Sequence, residues 1–232
     1  MKKISIIMPT YMGSEYLKEV SIPSVIKQTY TNWELVVVGD GTTDNTQDVV
    51  NSFNDSRIKY ENMQRPDYKT IVGADSGNIG SSFWNIAGVF AVNRGLDLCN
   101  GDYIAHLDQD DYWTSNHLEI TTNYLENNDT DLVYTIAEIF NGNRYIFRVA
   151  KEFSKQKMLE GNFIYHSSVV YRSSAFKQFK YPTQTHMPVD WQMWVQLTKN
   201  SKNDFKLLNT PTLLYFQKCS VNYCKDIIKK MG

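Results

Sequence analysis

The stretch Gly101–Trp113, GDYIAHLDQDDYW, passes from an apolar run into three carboxylates, Asp108, Asp110 and Asp111. Like charges this close repel, so the cluster calls for a cation. Hard divalent ions such as Mg2+ and Mn2+ take oxygen ligands, and Mg2+ needs only one or two carboxylates when water and phosphate complete its shell. The tip can therefore hold a metal and a diphosphate together. The alternative is a solvated acidic turn in which Asp110 or Asp111 caps the next helix. Tyr112 and Trp113 break the calcium-loop pattern D-x-D-x-D-G, and Tyr112 also stands where a phosphatase-type D-x-D-x-T/V needs Thr or Val. No GxxxxGK[ST] or GxGxxG occurs.

Two more carboxylates have the setting for chemistry. Asp40, in VVVGDGTTDNT, can accept hydrogen bonds from a planar ligand edge such as the N3–H of uracil; an Asx turn into a helix is its alternative. Asp190, in PVDWQMWVQL, can cap a helix or act as a general base, which need only be ionised and within reach of a hydroxyl. One residue can do both.

Alternating strands and helices must position these groups. Ile4–Met8 and Glu34–Val38 are β-branched runs of the kind buried on both faces of a sheet. Arg57–Glu61 and Tyr103–Leu107 are expected as further strands. Helices are expected over Tyr16–Gln28, with Pro23 kinking or splitting it, over Thr43–Phe53, capped by Thr43 or Asp44, and over Phe83–Cys99. A polar connector fills residues 62–81. This alternation predicts an α/β fold with a mainly parallel, doubly wound central sheet, whose ligands sit at the carboxyl ends of the strands. Pro9-Thr10-Tyr11, Gly39-Asp40 and Asp108-Gln109-Asp110 all fall there. Beyond them the pattern predicts helices over Asn116–Glu126 and Asp190–Lys199 and strands over Asp131–Phe140, Arg144–Ala150, Phe163–Tyr171 and Thr212–Phe216, so that mixed strands extend the sheet. The tail Cys224–Gly232 reads as a frayed helix, with weak contact to a membrane surface as the alternative.

The 232 residues, 42% apolar and 21% charged, suit one domain with a sizeable core. A net charge of −1 argues against broad nucleic-acid binding. Cys99, Cys219 and Cys224 are odd in number and lack metal-ligand spacing, which points to free thiols in a reducing, cytoplasmic compartment. The opening MKKISIIMPTYM is too short and too early broken by proline for a signal peptide, and no stretch approaches a membrane span.

In order along the chain, SIIMPTYMGSEYL, SVIKQTYTNWELVVVGDGTTDNT, AVNRGLDLCNGDYIAHLDQDDYW and VDWQMWVQL resemble the inverting glycosyltransferases of family 2. The resemblance implies a single GT-A domain, with residues 1–115 as the nucleotide-sugar half and 116–232 as the acceptor half. It further implies that Pro9, Thr10, Tyr11 and Asp40 hold the nucleotide base, and that Asn93 and Asp108 also contact the donor. Asp110, with Asp108, would bind Mn2+ or Mg2+, and Asp190 would be the catalytic base. The expected reaction transfers a sugar, with inversion, from a nucleotide-diphosphate sugar (a UDP-sugar) to a saccharide or lipid-linked acceptor at the inner face of a membrane. The chain departs from the family pattern at Gly39, where an acid is usual, at Val92 in place of an Arg, at Val189 in place of a Glu, and at Gln217-Lys218-Cys219, where relatives carry Arg and His. Those departures support the alternative of an inactive nucleotide-sugar-binding module. A sugar-1-phosphate nucleotidyltransferase is disfavoured, because the glycine- and arginine-rich N-terminal loop of such enzymes is missing.

Overall fold

The computed structural model describes residues 1–68, 88–149, 151–183 and 187–231. Its centre is a parallel block of four strands: β1 (Ile4–Thr10), β2 (Trp33–Asp40), β3 (Ile58–Met63) and β4 (Tyr103–His106), in spatial order β3-β2-β1-β4. The first two strands bury alternate side chains on opposite faces. Ile7, Val36 and Val38 pack on one side; Ile4, Ile6, Met8, Leu35 and Val37 pack on the other. The continuous apolar runs are thus those of a sheet covered twice.

Past β4 the sheet turns mixed. β8 (Val169–Arg172) pairs antiparallel with β4, and β6 (Leu132–Asn141) pairs antiparallel with β8. The long β9 (Lys206–Gln217) runs parallel to β6 and receives the short β5 (Tyr112–Trp113) on its other edge. β7 (Arg144–Val149) continues along the edge of β6 where β8 leaves off, forming a hairpin through Gly142 and Asn143, both at positive φ.

The first helical stretch, Ser14–Tyr16, Leu17–Ser21 and Ile22–Ile26, is one run with a π-helical turn in the middle. Pro23 has no N–H to donate, and the wider turn just before it absorbs that loss. The helix expected from Thr43 begins instead at Thr46 with Asn45 at its N-cap position, and Asp44 accepts from the Thr46 N–H at 3.2 Å in an Asx turn just before it. The helix Val89–Leu98 approaches β1 at Gly95, where a Cβ would lie 2.5 Å from Ile7 Cγ2. The part of the expected Phe83–Cys99 helix over residues 83–87, the connector from residue 69 to 81 and Ala150 lie outside the described residues.

Three further expectations are corrected. Phe163–Tyr171 is not one strand: a 3-10 turn, His166–Ser168, interrupts it, and pairing starts only at Val169. Ser168 caps that turn onto the Tyr165 carbonyl, and His166 and Ser167 bond to the acidic tip instead of joining a ladder. The tail is an ordered helix, Val221–Met231, seated through Val221 and Cys224 and tied by Lys225 to Glu19 at 2.8 Å. Asp111 caps no helix: its carboxylate accepts from Ser167 Oγ at 2.6 Å and from the Phe216 N–H at 3.1 Å.

Candidate active site

The carboxyl ends of β1, β2 and β4 form one rim. Gln109, between Asp108 and Asp110, is the fastener: its Oε1 accepts from Thr10 Oγ1 at 2.7 Å and from the Tyr11 N–H at 2.9 Å. Asp108 and Asp111 are fixed from the other side of the sheet. The Asp108 N–H donates to Ser167 Oγ at 3.0 Å, and the Trp113 indole donates to the Ser167 carbonyl at 2.6 Å. The turn at 166–168 therefore clasps the acidic tip.

The Asp110 carboxyl is hydrogen-bonded only by its own backbone N–H among the described residues, with no cation beside it. Burial, and then the charge of Asp108, push its carboxyl up to about 7. Asp111 is also raised, by burial and by both neighbours. Among the described residues no group of three His, Cys, Asp or Glu is placed to hold a metal alone. A site with one or two carboxylates fits an ion that completes its shell with phosphate and water.

A second polar cluster lies at the end of β2. Asp40 is buried; its Oδ2 accepts from the Tyr68 hydroxyl at 2.7 Å, while Oδ1 is buried with no hydrogen-bond partner among the described residues. A buried acceptor left unpaired is costly and awaits a donor. Burial raises the Asp40 pKa, against the Tyr68 hydrogen bond and the charge of Arg65. Arg65 donates to the Asp40 carbonyl at 3.1 Å and lies 3.5 Å above the centre of the Tyr11 ring, which is itself 46% exposed. Arg94 is committed elsewhere, bidentate to Glu61 at 2.6 and 3.0 Å. The glycine at 39 has a spatial reason: a Cβ there would lie 2.5 Å from Asn62 Oδ1 and 2.9 Å from the Tyr60 hydroxyl.

Asp190 opens the helix Val189–Asn200. Its Oδ2 accepts from Asn162 Nδ2 at 2.8 Å and its Oδ1 from the Trp191 N–H at 2.8 Å, which fixes the rotamer. Burial raises its pKa, with the nearby His166 pulling the other way. Asp190 lines a cavity of about 530 Å3 together with Pro9, Asp108, Asn162, His166 and Tyr215. The structure so brings Pro9, Asp108 and Asp190 to one cavity, while Thr10, Tyr11, Asp40 and Asp110 stand on the rim beside it. Asn93 is engaged otherwise: its side chain donates to the Tyr181 carbonyl and accepts from the Tyr181 N–H, both at 2.8 Å.

His166 escapes sequence reasoning. Its Nδ1 lies 2.9 Å from Asp108 Oδ1 and its Nε2 3.1 Å from the Tyr181 hydroxyl. Its ring stacks on buried His106, with centroids 4.5 Å apart. Burial disfavours the imidazolium, but the charge and hydrogen bond of Asp108 and the charge of Asp190 raise the His166 pKa overall. A polar cluster, Asn162 and His166-Ser167-Ser168, directly before an apolar Val-Val-Tyr run was the available signal.

A doubly wound sheet extended by mixed strands, with polar clusters at the carboxyl ends of β2 and β4, is the arrangement of the GT-A fold. The chain belongs to glycosyltransferase family 2: the family model Glycosyl transferase family 2 matches residues 5–70 and 89–190. It is 32% identical over 200 residues to the Escherichia coli UDP-Glc:alpha-D-GlcNAc-diphosphoundecaprenol beta-1,3-glucosyltransferase WfgD, covering 85% of this chain and 70% of that one. Among solved structures it resembles S. aureus TarS 1-349 in complex with UDP, with a TM-score of 0.72 at 20% identity, over 92% of this chain and 60% of that one. It also resembles the mannosyltransferase PcManGT from Pyrobaculum calidifontis in complex with GDP-Man and Mn2+, with a TM-score of 0.63 at 12% identity, over 94% of this chain and 57% of that one. The chain thus spans less than two thirds of either solved relative.

Proposed function

We propose that this protein is an inverting glycosyltransferase that moves a sugar from a UDP-sugar to a hydroxyl of a saccharide or lipid-linked acceptor, with Asp190 as general base. The observation that carries the proposal is the shared cavity of Asp108 and Asp190. Donor-side and acceptor-side carboxylates face one space, which is what a direct displacement at an anomeric carbon requires.

Asp40 Oδ1 accepts the imide N–H of the base, and Tyr11 stacks on its face. Asp108 receives the ribose side of the donor. Asp110, with Asp108, would hold Mn2+ or Mg2+; a buried carboxyl pushed up to about 7 by burial and by Asp108, with no cation beside it among the described residues, fits one. When bound, the ion neutralises charge on the departing diphosphate. Asp190 takes the proton of the acceptor hydroxyl as that oxygen attacks from the face opposite the leaving group. Its raised pKa makes it a better proton acceptor than a free aspartate, and Asn162 and the Trp191 N–H keep it aimed.

UDP appears in the solved TarS complex, and a diphosphoundecaprenol acceptor in the name of WfgD. Three free buried thiols suit a cytoplasmic enzyme, and no helix among the described residues is long and apolar enough to cross a membrane. The test is a panel of nucleotide sugars with Mn2+, read by thermal shift and then by the anomeric configuration of the product. A UDP-sugar should stabilise the protein and yield an inverted product. Retention of configuration overturns the mechanism. Binding without turnover on any acceptor pool favours a binding module.

A further inference from the structure

The edge strand β7 has an unusual surface. Tyr145, Ile146 and Phe147 are consecutive and 53%, 46% and 49% exposed. The register against β6 skips Ile146, with Tyr145 opposite Phe140 and Phe147 opposite Ile139, so Tyr145 shares one face with Arg148 and Phe147 shares the other with Arg144. Both faces of this ribbon meet solvent, and its outer edge has no strand partner among the described residues. Three large apolar side chains in a row on an unprotected edge invite association.

The charges around the strand indicate what associates. Basic residues continue from β7 into the helix Lys155–Glu160: Arg144, Arg148, Lys151, Lys155 and Lys157 share this stretch of sequence with only two acids, Glu152 and Glu160. Arg148 is spent on Glu138. Arg144, Lys155 and Lys157 have no acidic partner among the described residues. Leu159 adds another exposed apolar side chain, at 54%. The rest of the molecule outweighs this local excess, since the whole chain carries −1. Exposed aromatic and aliphatic groups interleaved with unpaired cations are the composition of an interfacial membrane contact.

The patch also adjoins the active site. Val149, the last residue of β7, lines the cavity that holds Asp190. The Trp191 indole, one residue beyond Asp190, donates to the Met158 carbonyl of the basic helix at 2.7 Å. We propose that β7 and the helix Lys155–Glu160 form a docking face for an anionic lipid bilayer, which presents a membrane-anchored acceptor at the mouth of the Asp190 cavity. This deepens the reading of the acceptor as lipid-linked and rests on it.

The test is co-sedimentation of the full chain with vesicles of phosphatidylglycerol and phosphatidylcholine, or of phosphatidylcholine alone. Wild type should bind the anionic vesicles, and added salt should weaken the binding. Arg144→Glu/Lys155→Glu/Lys157→Glu should lower the partition coefficient about a hundredfold. Tyr145→Ser/Ile146→Ser/Phe147→Ser should also lose binding, while both variants keep the wild-type melting temperature and UDP affinity. Wild type that ignores anionic vesicles, or variants that bind as well as wild type, would overturn the docking face. So would light scattering that shows a wild-type dimer dissociated by the serine variant, because the strand edge would then belong to a second copy. None of these outcomes touches UDP binding, whose loss in the wild type would instead sink the functional reading.

Discussion

The imidazole of His166 donates from Nδ1 to Asp108 Oδ1 across 2.9 Å, joining the 3-10 turn of the second half of the chain to the acidic tip of the first. A carboxylate offers only lone pairs, so the proton on Nδ1 is fixed by the partner. The other ring nitrogen meets Tyr181, whose backbone is in turn held on both sides by Asn93. Asn93, a residue expected at the nucleotide, is thus joined to Asp108 by hydrogen bonds through Tyr181 and His166.

His166→Ala should lower kcat/KM by about 10- to 100-fold, the usual cost of losing a group that orients a metal-site or donor-site carboxylate. His166→Asn, whose amide nitrogen can stand where Nδ1 stands, should recover most of it. The loss should fall mainly on the KM for the nucleotide sugar. Steady-state kinetics of the two variants decide; equal impairment would deny the orienting role.

Asp110→Asn should stabilise the metal-free protein while abolishing its response to Mn2+. The folded-state pKa of about 7 lies above the ordinary aspartate value of 3.8, so the native state binds the extra proton between those limits. Stability therefore falls as pH rises through that window and is lowest above about pH 7. The amide removes this penalty. At pH 8 the variant should gain about 1–3 kcal/mol over metal-free wild type, and the gain should vanish near pH 4. Urea melts at the two pH values, with and without Mn2+, test both halves.

Gly39→Asp, which would restore the family's acidic pair, should destabilise the fold by about 1–3 kcal/mol. The obstructing Asn62 cannot turn aside freely, because it accepts from the Thr42 N–H at 3.1 Å and donates to the Thr42 carbonyl at 2.8 Å. Asn62→Ala in the same chain should relieve part of the loss, a coupling that a double-mutant cycle measures.

Asn93→Ala should lower stability by about 1–3 kcal/mol, since it strands two backbone groups of the buried Tyr181. It should weaken donor binding only through the His166–Asp108 contact. If so, Asn93→Ala in a His166→Ala background will cost stability but no further donor affinity.

The parallel block was legible because its signals are local. Ile4–Met8 and Glu34–Val38 are apolar throughout, and only a sheet covered on both faces buries such runs. The acidic tip was legible as a cluster because three carboxylates follow an apolar strand at once, but that Asp111 is spent on Ser167 and the Phe216 N–H was not. The turn at His166 was not, since Phe163–Tyr171 has the composition of a strand. What breaks it is tertiary: Ser167 and His166 gain Asp111 and Asp108 as partners, residues more than fifty positions away. Nor could the sequence show that Asn93 is spent on Tyr181 or that Asn62 fills the space beside Gly39, because those pairs meet only in the fold.

The most direct measurement pairs donor affinity with transfer rate in Asp190→Asn. The amide keeps the size of the side chain and can still accept from Asn162, but it cannot take a proton. UDP-sugar affinity should stay within about twofold of wild type while the transfer rate falls about 10²- to 10⁴-fold. Transfer at the wild-type rate would contradict Asp190 as the base, and so would a loss confined to donor binding.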